Sequence, residues 1–280
     1  MARGDEIRDA QRAAWAGLAP GWEKWDAVIM DQLGPVSSAM IDSLGIATGQ
    51  KHLDIASGTG EPGLTIARLA PTGHVALTDL SAAMLDVATR RADAQGIANV
   101  DTLVCSADDL PFDDASFDSV SVRFGYMFLP DLAAATAEFA RVLRPGGRLC
   151  ASVWVRPEEN PWTSIVMEQI AKEVPLTPPD PDGPAMFRCA APGRVSALYE
   201  AAGLHAVVEW DVPVELVTAS PAQYWEMISE HVSLAAAALM HVDAPTRERI
   251  AAGVMAEAGR YEDAGAVRIP GMARCIVGTR

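Results

Sequence analysis

The chain reads as an α/β fold: a mostly parallel sheet with helices on both faces and additional helices forming a cap. Three observations predict it. After Gly49 the hydrophobic period changes from helical to a repeating strand–helix alternation; the first strand runs into the first helix through the glycine-rich turn Gly58-Thr-Gly60-Glu-Pro-Gly63; and turn signals such as Gly96 and Arg144-Pro-Gly-Gly147 separate the helix-length patterns from the strands that follow. Strands joined in this way are parallel, because a helical crossover returns the chain to the same edge.

The elements follow in order. Helical periodicity covers Ala10 to Leu18, Gly21 to Leu33 with Trp22 and Trp25, and Val36 to Leu44, stopped by Gly45. Lys51 to Ala56 is a strand, Pro62 to Leu69 a helix, His74 to Asp79 a strand, and Ala82 to Gln95 a helix ended by Gly96. Strands at Val100 to Cys105 and Phe117 to Arg123, a helix over Leu132 to Leu143, and a strand from Gly147 to Trp154 after the turn Arg144-Pro-Gly-Gly147 continue the alternation. Beyond Val155 the pattern loosens: Asn160 to Lys172 is helical, Val174 to Pro184 a proline-rich loop, and Arg194 to Ala202 a helix ended by Gly203. His205 to Glu215 is a strand, Pro221 to Met240 and Pro245 to Arg260 are helices, and Ala266 to Val277 is the last strand.

Half of the 280 residues are hydrophobic, enough for a substantial core, so one domain with an elaboration is the simpler reading. The run from Val232 to Met240, flanked by His231 and His241, is too short to span a bilayer. The opening Met1-Ala-Arg-Gly-Asp-Glu-Ile-Arg8 mixes charges without an apolar stretch, so it is not a secretory signal and a cytoplasmic location is expected. A formal net charge of −15 repels phosphate backbones, which disfavours nucleic acid and favours an uncharged or cationic small molecule. Cys105, Cys150, Cys189 and Cys275 are dispersed, so neither a metal site nor a disulfide framework is expected.

The glycine turn lies where open α/β sheets bind ligands, and glycine suits it because a Cβ would block the approach of ligand to backbone. Taken literally it is a G-x-G-x-x-G followed about 20 residues on by Asp79, as a dinucleotide site requires. Electrostatics separates two ligand readings. A dinucleotide sets its diphosphate on the helix N-terminus, where Asp54 and Glu61 would repel it. S-adenosylmethionine has no phosphate and carries an ammonium and a sulfonium, which the same acids attract. Asp79 serves either ligand, accepting from two ribose hydroxyls; alternatively it caps the helix near Ala82, with Ser81 an equal candidate.

Several further motifs stand in order: Leu53-Asp-Ile-Ala-Ser-Gly-Thr-Gly60, Thr78-Asp-Leu-Ser-Ala-Ala-Met-Leu85, Leu110-Pro-Phe112, Ser116-Phe-Asp118, Arg123-Phe-Gly125 and Glu138-Phe-Ala-Arg-Val-Leu-Arg-Pro-Gly-Gly-Arg-Leu149. On these, residues 45 to 155 resemble the class I S-adenosylmethionine-dependent methyltransferases, and most of all the ubiquinone and menaquinone biosynthesis C-methyltransferase branch. The resemblance implies a Rossmann-like, seven-stranded sheet. It also implies that the loop from Asp54 through Ala56, Ser57 and Gly58 to Gly60 holds the methionine portion, that Asp79 takes the ribose, and that Leu80 or Met84 packs near the adenine. Where the family shows Asp-Ala before Leu-Pro-Phe, this chain has Ser106-Ala107; the serine hydroxyl can accept from the adenine amino group, and Asp108 is the alternative if the loop shifts by a residue. Arg123 is assigned to the same site.

Methyl transfer from a sulfonium is an in-line displacement, so the protein mainly aligns the reactants and excludes water; a base is needed only where the acceptor must lose a proton. Tyr126 is placed after the fourth strand to touch the substrate, with packing as the alternative, and His231 is the candidate base, with an ordinary histidine as the alternative. The resulting organisation is a helical lid over 1–45, a cofactor-binding core over 46–155, and completion of the sheet with helical cap insertions over 156–280. The partner is a small-molecule methyl acceptor, neither nucleic acid nor membrane. A nicotinamide-dependent oxidoreductase and a non-catalytic S-adenosylmethionine-binding protein are the rival readings.

Overall fold

The computed structural model describes residues 2–176, 183–240 and 242–280; most of the proline-rich segment expected over 174–184, and His241, lie outside them. Eight strands form one sheet in the order β3-β2-β1-β4-β5-β8-β6. β1 (Lys51–Ile55), β2 (His74–Asp79), β3 (Val100–Val104), β4 (Phe117–Arg123) and β5 (Leu143–Trp154) are mutually parallel, as crossover helices require. β8 (Ala266–Thr279) inserts antiparallel between β5 and β6 (His205–Thr218). The eighth strand, beyond the seven expected, is β7 (Glu262–Asp263), a two-residue hairpin partner of β8 turned through Ala264 and Gly265, both at positive φ. The Arg144–Gly147 turn expected before the fifth strand is a bulge within it: Phe117 pairs with Leu143 but Ser119 pairs with Arg148. Strand order reverses between β1 and β4, so the loops after these two strands diverge and leave a crevice at the carboxyl edge of the sheet.

The helices confirm the periodicity but move two breaks. α1 (Ala2–Lys24) and α2 (Asp26–Leu44) are two long helices where three were expected, and they part at Trp25 instead of at the prolines. Pro20 and Pro35 are tolerated because both are exposed, as are Ala16 and Asp31, whose carbonyls the missing N–H groups release to water. α2 ends at Gly45 in the left-handed conformation, as read from sequence. α3 (Gly63–Leu69), α4 (Ala82–Ala94), α5 (Leu132–Val142), α6 (Pro161–Glu173) and α7 (Arg194–Ala201) lie within a residue or two of their expected spans. The single helix expected over 221–240 is α8 (Pro221–His231) and α9 (Ser233–Leu239), separated by an extended Val232 whose side chain is buried on the wall of the crevice. α10 (Ala244–Ala258) completes the cap. No helix among the described residues is long and apolar enough to cross a membrane.

Candidate active site

The crevice is a cleft of about 1370 Å³, mouth included, floored by the carboxyl ends of β1, β2 and β4 and roofed by α1, α2 and α8. The loops after β1, β2 and β3 contribute Ala56, Ser57, Gly58, Asp79, Leu80, Met84, Ser106 and Ala107 to its lining, and Phe124, Phe128, Trp154, Trp162, Gln32, His231 and Arg123 line it as well.

The glycine loop is built by three different requirements. Gly58, at φ +54, has open space where a Cβ would stand, and its N–H donates to Asp79 Oδ2 at 2.9 Å. Gly60 is a packing glycine: its Cβ would come within 2.8 Å of Leu64. At Gly63 a Cβ would meet Leu77 at 2.2 Å. Only Gly58 therefore leaves room for a ligand. Ala56, also at positive φ, is accommodated by Gly125, whose own Cβ would fall 2.4 Å from that of Ala56. The pairing of Arg123-Phe-Gly125 with the loop explains why an alanine is tolerated at this position.

Four of the expected site residues do not line the cleft. Asp54 is fully buried, accepting from Gly63 N–H at 3.0 Å and from the Ser121 hydroxyl, and burial pushes its carboxyl up to about 7. It therefore ties β1 to α3 and β4 and presents no charge to a ligand. Gly60 packs inward. Asp108 stands behind the wall, accepting from the Ser106 hydroxyl and from Arg8 Nη1 at 2.8 Å. Tyr126 is fully buried, its hydroxyl bonded to Thr136 and its ring packed on Phe139 and Tyr199, and burial drives its pKa up. The aromatic position at the cleft is instead Phe124, held at φ +56 and stacked 4.2 Å from Trp154, with Trp162 4.9 Å from Trp154. A bulky residue at positive φ beside a cleft is strain placed at a working surface. Nothing in the sequence separated Phe124 from Tyr126, since the choice turns on the left-handed step that follows β4.

Asp79 is part-buried and joins the loops after β1 and β2: Oδ1 accepts from Ser81 N–H at 2.8 Å, Oδ2 from Gly58 N–H. Ser81, the rival cap, receives Met84 N–H on its own hydroxyl. Each Asp79 oxygen keeps a lone pair for another donor. Ser106, donating to Asp108, has its oxygen lone pairs left toward the cleft and made more electron-rich by that donation. Ser57 is 4% exposed, and its hydroxyl has no partner.

The charges around the loop are arranged differently from the sequence expectation of a ring of acids. Glu61 is on the wall but faces Arg91 and Arg68, each at 3.8 Å, and Arg91 also meets Asp26 at 3.1 Å. Arg123 donates to Ser37 Oγ at 3.1 Å and has no carboxylate within 4.0 Å among the described residues. The amides at the start of α3 are all engaged: residue 62 is proline, Gly63 donates to Asp54, Leu64 to the Gly60 carbonyl at 2.8 Å and Thr65 to Glu61 at 3.2 Å. His231 Nδ1 bonds the Met227 carbonyl at 2.8 Å, so it carries the ring proton and Nε2 keeps the lone pair; burial lowers its pKa to about 4.

Comparison with known proteins accords with this geometry. A ubiquinone/menaquinone biosynthesis C-methyltransferase from Cellvibrio japonicus is 41% identical over 122 residues, 43% of this chain and 49% of that protein. The chain thus spans about half the length of the curated relatives it matches. Among solved structures, the YcgJ protein of Bacillus subtilis superposes with a TM-score of 0.56 at 20% identity, covering 87% of this chain and 97% of that one. The phosphoethanolamine N-methyltransferase 2 of Haemonchus contortus, solved with phosphomonomethylethanolamine and S-adenosylhomocysteine, gives 0.54 at 18% identity, covering 88% of this chain and 52% of that one. Both show a shared fold. The model of the ubiE/COQ5 methyltransferase family matches residues 24–175, more than half of the sequence, and the chain belongs to that family.

Proposed function

We propose that the protein is an S-adenosylmethionine-dependent methyltransferase acting on an O, N or C atom of a small organic molecule. The observation that carries this reading is the closed N-terminus of α3. Its amides are already bonded to Asp54, Gly60 and Glu61, so a diphosphate finds no free donor there. Beside it, the unpartnered Ser57 hydroxyl, the open space at Gly58 and the spare lone pairs of Asp79 fit a ligand with hydroxyl and amino donors and no phosphate. This replaces the electrostatic argument from two free acids, because Asp54 faces inward and Glu61 is matched by arginines.

In this reading Ser57 and Gly58 hold the methionine end, and Arg123, lacking a carboxylate of its own, takes its carboxylate group. Asp79 accepts from the ribose hydroxyls, Leu80 and Met84 pack on the adenine, and Ser106 with Ala107 reads its edge. The bound cofactor supplies an electrophilic methyl on a sulfonium. The chain's own part is alignment and exclusion of water: Phe124, Trp154 and Trp162 form a dry wall, and Trp15 and Trp22 of α1 close the roof as a lid. His231, neutral with Nε2 unprotonated, serves as base for an acceptor that must lose a proton. The division into lid, core and cap, and a cytoplasmic setting, belong to the same proposal; the latter is supported by four cysteines, all free.

Calorimetric titration with S-adenosylmethionine, S-adenosylhomocysteine and NAD tests it. The expected result is binding of the first two and none of the third; NAD binding without S-adenosylmethionine binding contradicts it.

A further inference from the structure

α2 packs on β4, β5, β6 and β8, the half of the sheet away from the β2 and β3 loops. It contributes Gln32 to the cleft. Gln32 is only 3% exposed, and its Nε2 is sealed from solvent with no hydrogen-bond partner. The cleft that it lines also presents the apolar side chains of Ile29, Leu33, Trp154 and Trp162. An unpaired buried N–H destabilises the fold, and leucine would fill the same volume without that cost. The position makes sense if something entering the cleft supplies an acceptor.

Helix geometry separates this group from the charged residues near the cofactor. Met30 and Ser37, which meet Arg123, are seven residues apart and so share one edge of α2. Gln32, two residues from Met30, falls about 200° around the helix, on the opposite edge. A second donor faces the same cleft: the Trp22 indole N–H is buried and unpartnered, and its ring stands edge-on to His231 at 5.9 Å. Each unsatisfied N–H on the cleft wall calls for an acceptor atom from what enters it.

We propose that Gln32 is a specificity-determining residue whose amide N–H binds an oxygen of the methyl acceptor, a carbonyl or an ionised hydroxyl on an apolar ring. This rests on the methyltransferase reading for the word acceptor, but the recognition is testable separately.

The test uses the full chain saturated with S-adenosylhomocysteine and follows tryptophan fluorescence on titration with a matched probe pair, 1-tetralone and tetralin, which differ by one carbonyl. The wild type is expected to bind 1-tetralone at least about ten-fold more tightly than tetralin, because a site built to hydrogen-bond an oxygen rejects the analogue lacking it. Gln32→Leu and Gln32→Met, neither of which has an N–H to donate, are each expected to abolish that preference. Both variants should keep the wild-type affinity for S-adenosylhomocysteine, which also reports that they fold. No preference in the wild type, or a preference that survives in Gln32→Leu, overturns the proposal. Failure of S-adenosylhomocysteine to bind would count against the cofactor reading instead, leaving the wild-type and variant comparison of the two probes to be judged on its own.

Discussion

At the scale of single residues, Asp79 and His231 carry the most specific expectations. Asp79 holds two loop amides and offers its remaining lone pairs to the cleft, so Asp79→Asn should weaken S-adenosylmethionine binding by about ten-fold or more, measured by calorimetry. An unchanged affinity would mean that the carboxylate only braces the loops. For His231, the proton on Nδ1 and a pKa lowered to about 4 give an unprotonated Nε2 throughout the neutral range. Methyl transfer that depends on it should therefore stay level from about pH 8 down to about pH 5.5 and fall only below that. A rate that drops with a midpoint near 6.5 would show a histidine in ordinary surroundings doing the work. His231→Phe should lower kcat by roughly 10²-fold with cofactor affinity intact. Of these residues, Asp79 was legible because its place at the end of the second strand is fixed by local pattern. Tyr126 takes its packing alternative, since the chain after the left-handed turn at Phe124 buries it in the core, and no periodicity chooses between the two.

At the scale of elements, α1 is fastened unevenly. Its C-terminal end is held by Lys24 to Glu226 and Glu230 and by Glu23 to Arg90, with the Trp25 indole, just past the helix, on Glu230. Near its N-terminal end, Arg8 reaches Asp108, the residue that orients Ser106. A part-exposed ion pair of this kind contributes about 1 kcal/mol or less. Arg8→Ala should thus raise the dissociation constant for S-adenosylmethionine by no more than about five-fold while increasing quenching of Trp15 fluorescence by acrylamide. Equal quenching in the two proteins would mean that the lid does not hinge at this end. The sequence placed most elements closely because glycine stops and apolar periods are local. It divided α1 and α2 at the wrong residues because proline is only a barrier where the released carbonyl is buried, and exposure is a tertiary property.

At the scale of the whole molecule, two buried histidines disfavour the folded state in acid. Burial lowers His52 to about 3 and His231 to about 4, so between roughly pH 6.5 and 4 the unfolded chain takes up protons that the folded chain refuses, and stability is lost as pH falls. Asp54, raised to about 7, acts in the opposite sense, losing stability as pH rises toward that value, and burial raises Asp26 and Asp79 in the same direction. His231→Gln removes one of the two histidine contributions, so relative to the wild type its urea midpoint should improve on going from pH 7 to pH 4.5. An identical pH dependence in the two proteins would contradict a buried, neutral His231. The parallel half of the sheet and the position of the cleft were legible, because strand–helix alternation determines both. The compensation of charges around the cleft was not, since Arg68 and Arg91 reach Glu61 from two separate helices, α3 and α4.

A crystal structure of the chain with S-adenosylhomocysteine would show whether the cleft holds the cofactor as proposed. The ribose hydroxyls are expected on Asp79, the adenine edge at Ser106 and Ala107, and the amino-acid end at Ser57, Gly58 and Arg123. Density for the ligand elsewhere, or a pyrophosphate group seated against the first turn of α3, would contradict it.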